Sequence, residues 1–280
     1  MTLKIYHYTS IDSLALILKN RTLRFTRLDH VDDLEEAKVE QSQYDLAKFL
    51  FVSCWTENGE ESIPLWKMYS GGATGVRIGV EKEMFQGYFY FSFDEKTGEL
   101  KDIQQTLVPD DHKKDFFVLP VFDCNKAPFY RKVDYKDDLV EATKGIVKEE
   151  SKVREVRPDG SKVLEVTMSL DLNRLGAIKH SRWEFQDESR FSLFIVPGNP
   201  FTRSIETATS AMIYCLKNGK SVPFEYYDLP LAPKFFESLE VTLSPNASES
   251  QRIIVESLCS SLAPGAVIRE SSLKGKVVMK

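Results

Sequence analysis

Hydrophobic and polar positions change their period several times along this chain, and each change predicts a new element. "LKIYHYT" alternates as a strand does, and Thr9 or Ser10 is placed to cap the helix predicted by "IDSLALILKN". "TLRFTRL" predicts a second strand. The nearly continuous apolar run "KFLFVSCW" predicts a central strand that is buried on both faces.

The middle of the chain mixes helical and strand patterns. "ESIPLWKMYS" predicts a short helix, "VRIGVE" a strand, and "YFYFSF" with "LKDIQQ" a hairpin. The acidic run "DHVDDLEEAKVE" predicts the start of a helix, because carboxylates favour the positive end of the helix dipole. The charged segments on either side of the turn "RPDG" predict two more helices, and "NASESQRIIVESLCSSL" predicts a last one.

Together these patterns predict a single α+β domain over residues 1–280, because no linker or low-complexity segment divides the chain. Its core is expected to be a mixed, mostly antiparallel sheet with flanking helices, and a helical insert is expected near residues 137–180. The composition, with 42% hydrophobic and 28% charged residues, is ordinary for a globular protein.

The segment "SRWEFQDESRFSLFIV", residues 181–196, raises a specific question about one surface of the sheet. As a strand it would direct one set of side chains to the core: Trp183, Phe185, Phe191, Leu193 and Ile195. The opposite side would carry a polar row: Glu184, Gln186, Glu188 and Arg190. Such a row is either a solvated outer face or the wall of a pocket, and we predict the pocket wall.

The net charge, the N-terminal sequence and the cysteines indicate which partners and which compartment to expect. The net charge of −5, from 37 Lys and Arg against 42 Asp and Glu, argues against strong electrostatic binding of nucleic acid. The N-terminal "MTLKIYHYTS" lacks the apolar core of a signal peptide, and no window is apolar enough for a membrane span, so we expect a cytoplasmic protein with no membrane partner. The four cysteines are far apart and are expected to be reduced thiols.

Several common enzyme signatures are absent from the sequence, among them G-x-S-x-G, the Walker A loop and H-E-x-x-H. The histidines show no metal-ligand spacing, so no metal is expected. His7 shares a strand face with Ile5 and Thr9, where a structural histidine is the commoner case. Trp66 and Tyr69 share a helical face, which indicates either core packing or an aromatic platform for a planar ring.

The blocks "YHYTS", "VDDLEEA", "SCWTE…LWKMYSGGATGVRIGV" and "KHSRWEFQDESRF", in this order, resemble the bacterial family catalogued as domain of unknown function 2971. The resemblance runs in scattered blocks from residue 5 to about residue 195. Members of that family often carry an early Asn-Asp-Pro-x-Glu motif, which here is "DDLEE", residues 32–36. Their late Glu-x-Glu-x-Arg row appears here with Gln186 in place of the first acid, followed by Glu188 and Arg190.

The layout is also similar to a wider group, the ADP-ribosyltransferases. Their sites combine a histidine or arginine on the first strand, an aromatic residue on a helix-strand segment, and a late Glu-x-Glu or Gln-x-Glu pair. The matching positions here are His7 with Thr9, Tyr69 or Trp66, and Gln186 with Glu188. This resemblance implies an ADP-ribosyltransferase-like sheet, NAD as the substrate, a protein, DNA or RNA acceptor, and a role as a toxin or in defence against phage.

The chemistry of that group explains the residue types. Nicotinamide leaves the anomeric carbon of NAD through a transition state that resembles an oxocarbenium ion, which a carboxylate such as Glu188 stabilises while it holds the ribose 2′-hydroxyl. His7 is expected to fix the sugar, converging with Glu188 on one cavity from a neighbouring strand, and Tyr69 is expected to stack on nicotinamide. Gln186 would orient the acceptor without deprotonating it, because an amide is not a base. Arg190 is expected to pair with a neighbouring carboxylate or to hold a pyrophosphate.

Two other functions stay open at this point. A binding or interaction protein of the same fold, without turnover, is consistent with Gln186 in place of an acid. A metal-dependent hydrolase or nuclease would bring Asp33, Glu36 and Glu188 within a few ångströms of each other. In isolation, however, an acidic run such as "HVDDLEEA" is more often a capped, solvated turn.

Overall fold

Strands make up most of the regular structure of this protein. The computed structural model describes residues 4–36, 38, 44–71, 74–94, 97–107, 116–119, 130–198 and 213–278. Its strands are β1 (Lys4–Ser10), β2 (Thr22–Arg27), β3 (Leu50–Thr56), β4 (Gly75–Glu81), β5 (Tyr88–Phe93), β6 (Leu100–Thr106), β7 (Phe116–Leu119), β8 (Tyr130–Lys132), β9 (Asp134–Lys136), β10 (Val147–Val156), β11 (Lys162–Leu170), β12 (Ile178–His180), β13 (Glu188–Pro197), β14 (Tyr226–Pro230), β15 (Glu240–Leu243) and β16 (Val267–Arg269).

Five helices are named here, of which the first and the last are the longest, and residues 213–217 are also helical. The five are α1 (Ile11–Asn20), α2 (Ile63–Tyr69), α3 (Leu139–Thr143), α4 (Pro233–Ser238) and α5 (Glu249–Leu262). The side chain of Ser10 caps α1, as the sequence predicts, and Ser248 forms a capping box with Gln251 at the start of α5. Single 3-10 turns cover Leu28–His30, Leu46–Phe49 and Ser181–Gln186.

The main sheet is built around β3. Along one edge of β3, β13 pairs antiparallel with the whole strand, from Glu188 opposite Thr56 to Phe194 opposite Leu50. On its far edge, β13 pairs with β8 and β7. Antiparallel pairs predominate, although β15 pairs with β16 and β9 with β12 in parallel. The predicted α+β class with a mixed, mostly antiparallel sheet is therefore confirmed.

The other edge of β3 is shared by two strands that diverge from it. β2 pairs near the start of β3, where Thr26 lies opposite Val52, and β1 pairs at its end through the single rung of Tyr6 and Thr56. From there the sheet continues in two directions, through β1 to β4, β15 and β16, and through β2 to β14. We call this divergence of β1 and β2 from β3 the fork. The backbone of β3 between the two pairings faces the gap inside the fork.

Apolar side chains cover both faces of β3, as predicted for "KFLFVSCW". Phe51 and Trp55 belong to a large core that also contains Leu14 and Leu18 of α1 and Val255 of α5. Leu50 and Val52, on the opposite face, belong to a second core with Phe49 and Phe194. Neighbouring residues on a strand point to opposite faces, so each face of β3 packs against one of these cores. A polar side chain on β3 must therefore form hydrogen bonds within a core or lie at a cavity.

The helical insert predicted near residues 137–180 is wrong. Apart from α3, this region contains an antiparallel hairpin in which β10 runs beside β11, with Val147 opposite Leu170. The predicted turn is confirmed, since Arg157 N donates to the Ser161 carbonyl over 2.8 Å. Every residue of β10 after Val147 is exposed, so neither face required the alternating apolar residues that would have signalled a strand. We call residues 147–170 the arm.

The strand predicted over residues 181–196 begins only at Glu188. The preceding residues form a 3-10 turn that ends at Asp187 in the left-handed conformation, with φ 43°. Trp183 and Phe185 therefore do not lie on the core face of a strand, and Phe185 is 44% exposed. Further along β13, Phe191 does belong to the apolar core, as predicted.

The helix predicted to begin in the acidic run is also wrong within the described residues. Leu28–His30 form a 3-10 turn, and bends and turns follow through residue 36. No helix among the described residues combines the length and the apolar character that crossing a membrane requires. Cys54, Cys215 and Cys259 are free thiols, and Cys124 lies outside the described residues.

Candidate active site at the fork

A cavity of about 280 Å³ opens in the fork, at the low end of the volumes typical of ligand sites, about 300–1,000 Å³. Its base is formed by β1, β2 and β3, through residues 6–8, Arg24, Thr26 and residues 52–56. The remaining lining comes from residues 30–32 with Glu36, from Leu65 and Tyr69, and from Lys179, Gln186 and Glu188. Four of the residues predicted from the sequence line this one cavity: His7, Tyr69, Gln186 and Glu188.

The end of the 3-10 turn and the start of β13 bring Gln186 and Glu188 to the cavity. The left-handed Asp187 between them lets the chain change from turn to strand without separating the two side chains. Both residues are 4% exposed, so neither belongs to a solvated outer face. Glu184, by contrast, is exposed in the turn, and the continuous row predicted from residue 184 to residue 190 is wrong.

Glu188 is held by two cations. Its Oε1 accepts from Arg190 Nε at 2.9 Å and from Nη2 at 2.5 Å, and its Oε2 accepts from Lys179 Nζ at 3.1 Å. Burial raises the pKa of Glu188, but the charges of Arg190 and Lys179 more than offset burial, so the pKa is lowered from 4.5. Glu188 is therefore an ionised carboxylate in a fixed orientation.

Arg190 holds the carboxylates of Glu188 and Glu36 in place. Its side chain is fully buried and is not among the described residues that line the cavity. Nη1 donates to the Gly176 carbonyl at 2.8 Å, and Nη2 is shared between Glu188 and Glu36 Oε2, the latter at 3.1 Å. The predicted pairing of Arg190 with a neighbouring carboxylate is confirmed, since it pairs with Glu188. Because each of its nitrogens already has a partner, Arg190 has no free donor for the alternative role, holding a pyrophosphate.

Lys179 is a second buried cation that the sequence did not single out. Its Nζ donates to Gln186 Oε1 at 2.8 Å as well as to Glu188, and it lies 4.9 Å from the centre of the Trp183 ring. Burial lowers the pKa of Lys179, but the carboxylates of Glu188 and Glu36 outweigh that effect and the pKa is raised. The ammonium therefore stays charged and orients the amide of Gln186. The one signal in the sequence is a lysine directly after the apolar Ala177 and Ile178.

Tyr69 connects the two sides of the cavity. Gln186 Nε2 donates to Tyr69 Oη at 2.6 Å, and Tyr69 Oη donates to Asp32 Oδ2. Burial and the hydrogen bond to Asp32 both raise the pKa of Tyr69, so its hydroxyl keeps its proton. Tyr69 is 36% exposed and lines the cavity.

His7 lies at the bottom of the fork and not beside Glu188. The rungs Tyr6–Thr56 and Thr56–Glu188 place those three side chains on one face of the sheet, so His7 points to the other face, and its ring centre lies 5.1 Å from that of Trp55. β3 also lies between the two strands, which were predicted to be neighbours. His7 reaches the cavity through the gap between β1 and β3.

The hydrogen bonding of His7 fixes its tautomer. Its Nδ1 lies 2.8 Å from the Cys54 carbonyl oxygen, on the edge of β3 that faces the fork. Burial lowers the pKa of His7 more than this contact raises it, so the ring is neutral, Nδ1 donates the hydrogen bond, and Nε2 is an acceptor.

Two other predicted residues, Thr9 and Trp66, are not among the described residues that line the cavity. Thr9 is buried and pairs with Val76, on the same core-facing side of β1 as Ile5. Trp66 is fully buried and packs edge-on against Tyr8 with ring centres 5.0 Å apart. It is therefore a core residue, and of the predicted aromatic pair only Tyr69 lines the cavity.

The acidic run contains two buried carboxylates, of which Glu36 lines the cavity. Asp33 is 4% exposed and Glu36 is 7% exposed, so the expectation of a solvated turn is wrong for both. Glu36 and Glu188 are close, as the metal hypothesis requires, but the guanidinium of Arg190 bridges them. In the described part of the chain, no group of three or more His, Cys, Asp or Glu side chains is arranged to hold a metal ion.

No family model, curated protein or solved structure matches this chain.

Proposed function

We propose that the fork binds NAD and that the protein is an ADP-ribosyltransferase-like enzyme, in which Glu188 assists cleavage of the bond between nicotinamide and ribose. One observation supports this proposal above others. A fixed, ionised Glu188, an oriented amide at Gln186 and the ring of Tyr69 all line one cavity of about 280 Å³. These are the residue types that the cleavage of a glycosidic bond with a flat, cationic leaving group requires.

In the proposed reaction, the C1′–N bond breaks and its electron pair passes to nicotinamide, which thereby loses its positive charge. The positive charge that develops at C1′ and the ring oxygen is stabilised by the carboxylate of Glu188. Tyr69 stacks on the nicotinamide ring, and the neutral imidazole of His7 closes the bottom of the site. An acceptor, or water, then forms the new bond to C1′.

The remaining hydrogen-bonding capacity of Glu188 is consistent with this role. A carboxylate has about four lone-pair sites, and Arg190 and Lys179 occupy three of those on Glu188. The thiol of Cys54, a weak donor, also lowers the pKa of Glu188. We expect the ribose 2′-hydroxyl, a stronger donor, to displace this thiol when NAD binds.

A second function is favoured by the same contacts. Because two cations hold Glu188 and lower its pKa, the carboxylate is partly neutralised, and a site of this kind is also suited to binding a ligand without turnover. Gln186, which cannot act as a base, fits that function too.

Release of nicotinamide from NAD tests the proposal and separates the two functions. The variants to compare are Glu188→Gln, which keeps the shape of the side chain, and Glu184→Gln, which changes an exposed glutamate in the neighbouring turn. We expect Glu188→Gln to lower the rate by about 10²–10³-fold, the usual effect of losing one transition-state contact, and Glu184→Gln to leave it unchanged. Binding of NAD by the wild type with no nicotinamide released would instead establish the second function.

A further inference from the structure

Glu36 is a buried carboxylate with one oxygen unused. It is 7% exposed, it lines the cavity, and its Oε2 accepts from Arg190 Nη2 at 3.1 Å. Its Oε1 is buried and accepts no hydrogen bond from any residue in the described part of the chain. Leaving a buried carboxylate oxygen without a donor destabilises a protein, and on a side chain that lines a cavity we take it to indicate a contact that a ligand completes.

The other side chains at this end of the cavity are already committed. Both oxygens of Glu188 accept from cations, and Gln186 bonds to Lys179 through its oxygen and to Tyr69 through its nitrogen. Tyr69 in turn donates to Asp32. Asp33 Oδ2 also lacks a donor in the described part of the chain, but Asp33 does not line the cavity. Among the carboxylates that do, Glu36 is the one with a buried oxygen that has no donor, and Arg190 Nη2 holds Glu36 and Glu188 side by side.

We infer that Glu36 is the general base that deprotonates the nucleophile, the task that Gln186 cannot perform; this inference rests on the proposed cleavage of NAD at the fork. When an acceptor X–H attacks C1′, the X–C1′ bond forms as the C1′–N bond breaks. The proton of X–H passes to Glu36 Oε1, and the electron pair of the broken bond leaves with nicotinamide. For hydrolysis X–H is water, and the products are ADP-ribose and nicotinamide.

The charges around Glu36 suit this role. Burial raises its pKa, Arg190 and Lys179 oppose that effect, and the carboxylates of Glu188 and Asp33 add to it, so the pKa is raised overall. Glu188, next to it, has a lowered pKa. A pair of carboxyl groups whose environments move their pKa values apart is the arrangement in which one group exchanges protons while the other stays ionised.

Rescue by azide distinguishes a general base from a residue that only holds Arg190. Azide is an anionic nucleophile that attacks C1′ without needing a base, and its product is ADP-ribosyl azide. We expect Glu36→Gln to reduce release of nicotinamide from NAD in water by about 100-fold or more, and sodium azide to restore it. Glu188→Gln should not be restored, because azide does not replace the charge that stabilises the transition state. Glu35→Gln, which changes the exposed neighbour, should behave as the wild type.

Each remaining outcome bears on a different claim. If the wild type releases no nicotinamide at saturating NAD, the proposed function falls and the role of Glu36 falls with it. If the wild type is active and Glu36→Gln is equally active, only the role of Glu36 is overturned. Loss of activity that azide does not restore also overturns it. Should Glu36→Gln fail to fold, Glu36→Asp keeps a base one methylene shorter, and activity no higher than that of Glu36→Ala would contradict the inference.

Discussion

At the residue scale, Arg190 determines how the site is held together. Its guanidinium compensates both Glu188 and Glu36, and its side chain has no exposure to solvent. We therefore expect Arg190→Met to leave two buried carboxylates short of a cation and to lower the free energy of unfolding by about 3–5 kcal/mol, measured by urea denaturation.

Arg24 provides the matched control for Arg190. It also makes a bidentate contact with a carboxylate, that of Asp228, but its side chain is 49% exposed. Exposed ion pairs contribute little, so Arg24→Met should cost less than about 1 kcal/mol. Equal losses in the two variants would mean that Arg190 does not compensate the buried carboxylates.

The lowered pKa of Glu188 predicts how stability depends on pH. A carboxyl group whose pKa is lower in the folded protein stabilises the fold above its ordinary value of 4.5, and that stabilisation is lost as the pH falls through the lowered value. The difference in unfolding free energy between the wild type and Glu188→Gln should therefore shrink as the pH is lowered from about 7 to about 3. A difference that stays constant over this range would show that the pKa of Glu188 is not lowered.

At the scale of elements, the loop before β12 connects the fold to the site. Gly176 has a φ of +64°, and a Cβ there would lie 2.1 Å from Cδ2 of the buried Leu50. Its carbonyl also accepts from Arg190. We expect Gly176→Ala to destabilise the protein by about 3 kcal/mol, from backbone strain and overpacking together.

Gly160, in the turn of the arm, has a φ of +81° and nothing within 4 Å of an added Cβ. Gly160→Ala should therefore cost only the backbone strain, about 1–2 kcal/mol. Thermal denaturation of both variants measures the difference, and a larger loss at Gly160 than at Gly176 would contradict the packing around Leu50.

Elements with at least one buried face were predictable from the sequence. α1 and β3 were found because apolar residues recur at helical spacing in one and fill both faces of the other. The arm was mistaken for two helices because β10 is exposed on both faces and its lysines and glutamates favour a helix when no tertiary contact is considered. The sequence of β11 does alternate apolar residues, at Leu164, Val166, Met168 and Leu170, and the helical interpretation overlooked that strand pattern. The turn at its tip was found because proline, aspartate and glycine specify a turn locally.

The candidate site was predictable only in part. Tyr69, Gln186 and Glu188 were found through the resemblance, because each lies in a recognisable block. Lys179 and the buried position of Glu36 could not be found, because what buries them is a 3-10 turn folded against β13 and a non-helical run of bends. The contact of Glu36 with Arg190 joins residues 154 positions apart, which local patterns do not encode. Lys179 and Glu188 are only nine positions apart, but their contact depends on the 3-10 turn between them, where a strand was predicted.

At the scale of the whole molecule, the arm is separable from the fork. Glu149 bonds to Tyr44 and Lys217 at its base, but the rest of β10 beyond it is exposed. Replacing residues 150–167 with an Asn-Gly turn should change the free energy of unfolding by less than about 1 kcal/mol and leave nicotinamide release unchanged. Loss of activity in a folded, armless variant would mean that the arm takes part in the site.

The fork depends on how four strands, β1, β2, β3 and β13, pair within the sheet. β3 lies between two apolar cores, and one of its edges pairs with β1 and β2 at different points. Across β13, β3 and β1, the side chains of Glu188, Thr56 and Tyr6 are aligned. This alignment is what makes a cavity at the point where the strands separate, and the proposed reaction depends on it.

A crystal structure of Glu188→Gln soaked with NAD tests the central claim most directly. We predict the nicotinamide ring against Tyr69 in the fork, and the ribose 2′-oxygen within about 3 Å of the residue 188 side chain. NAD bound outside the fork, or bound with its ribose on the other face of β3, would contradict the account.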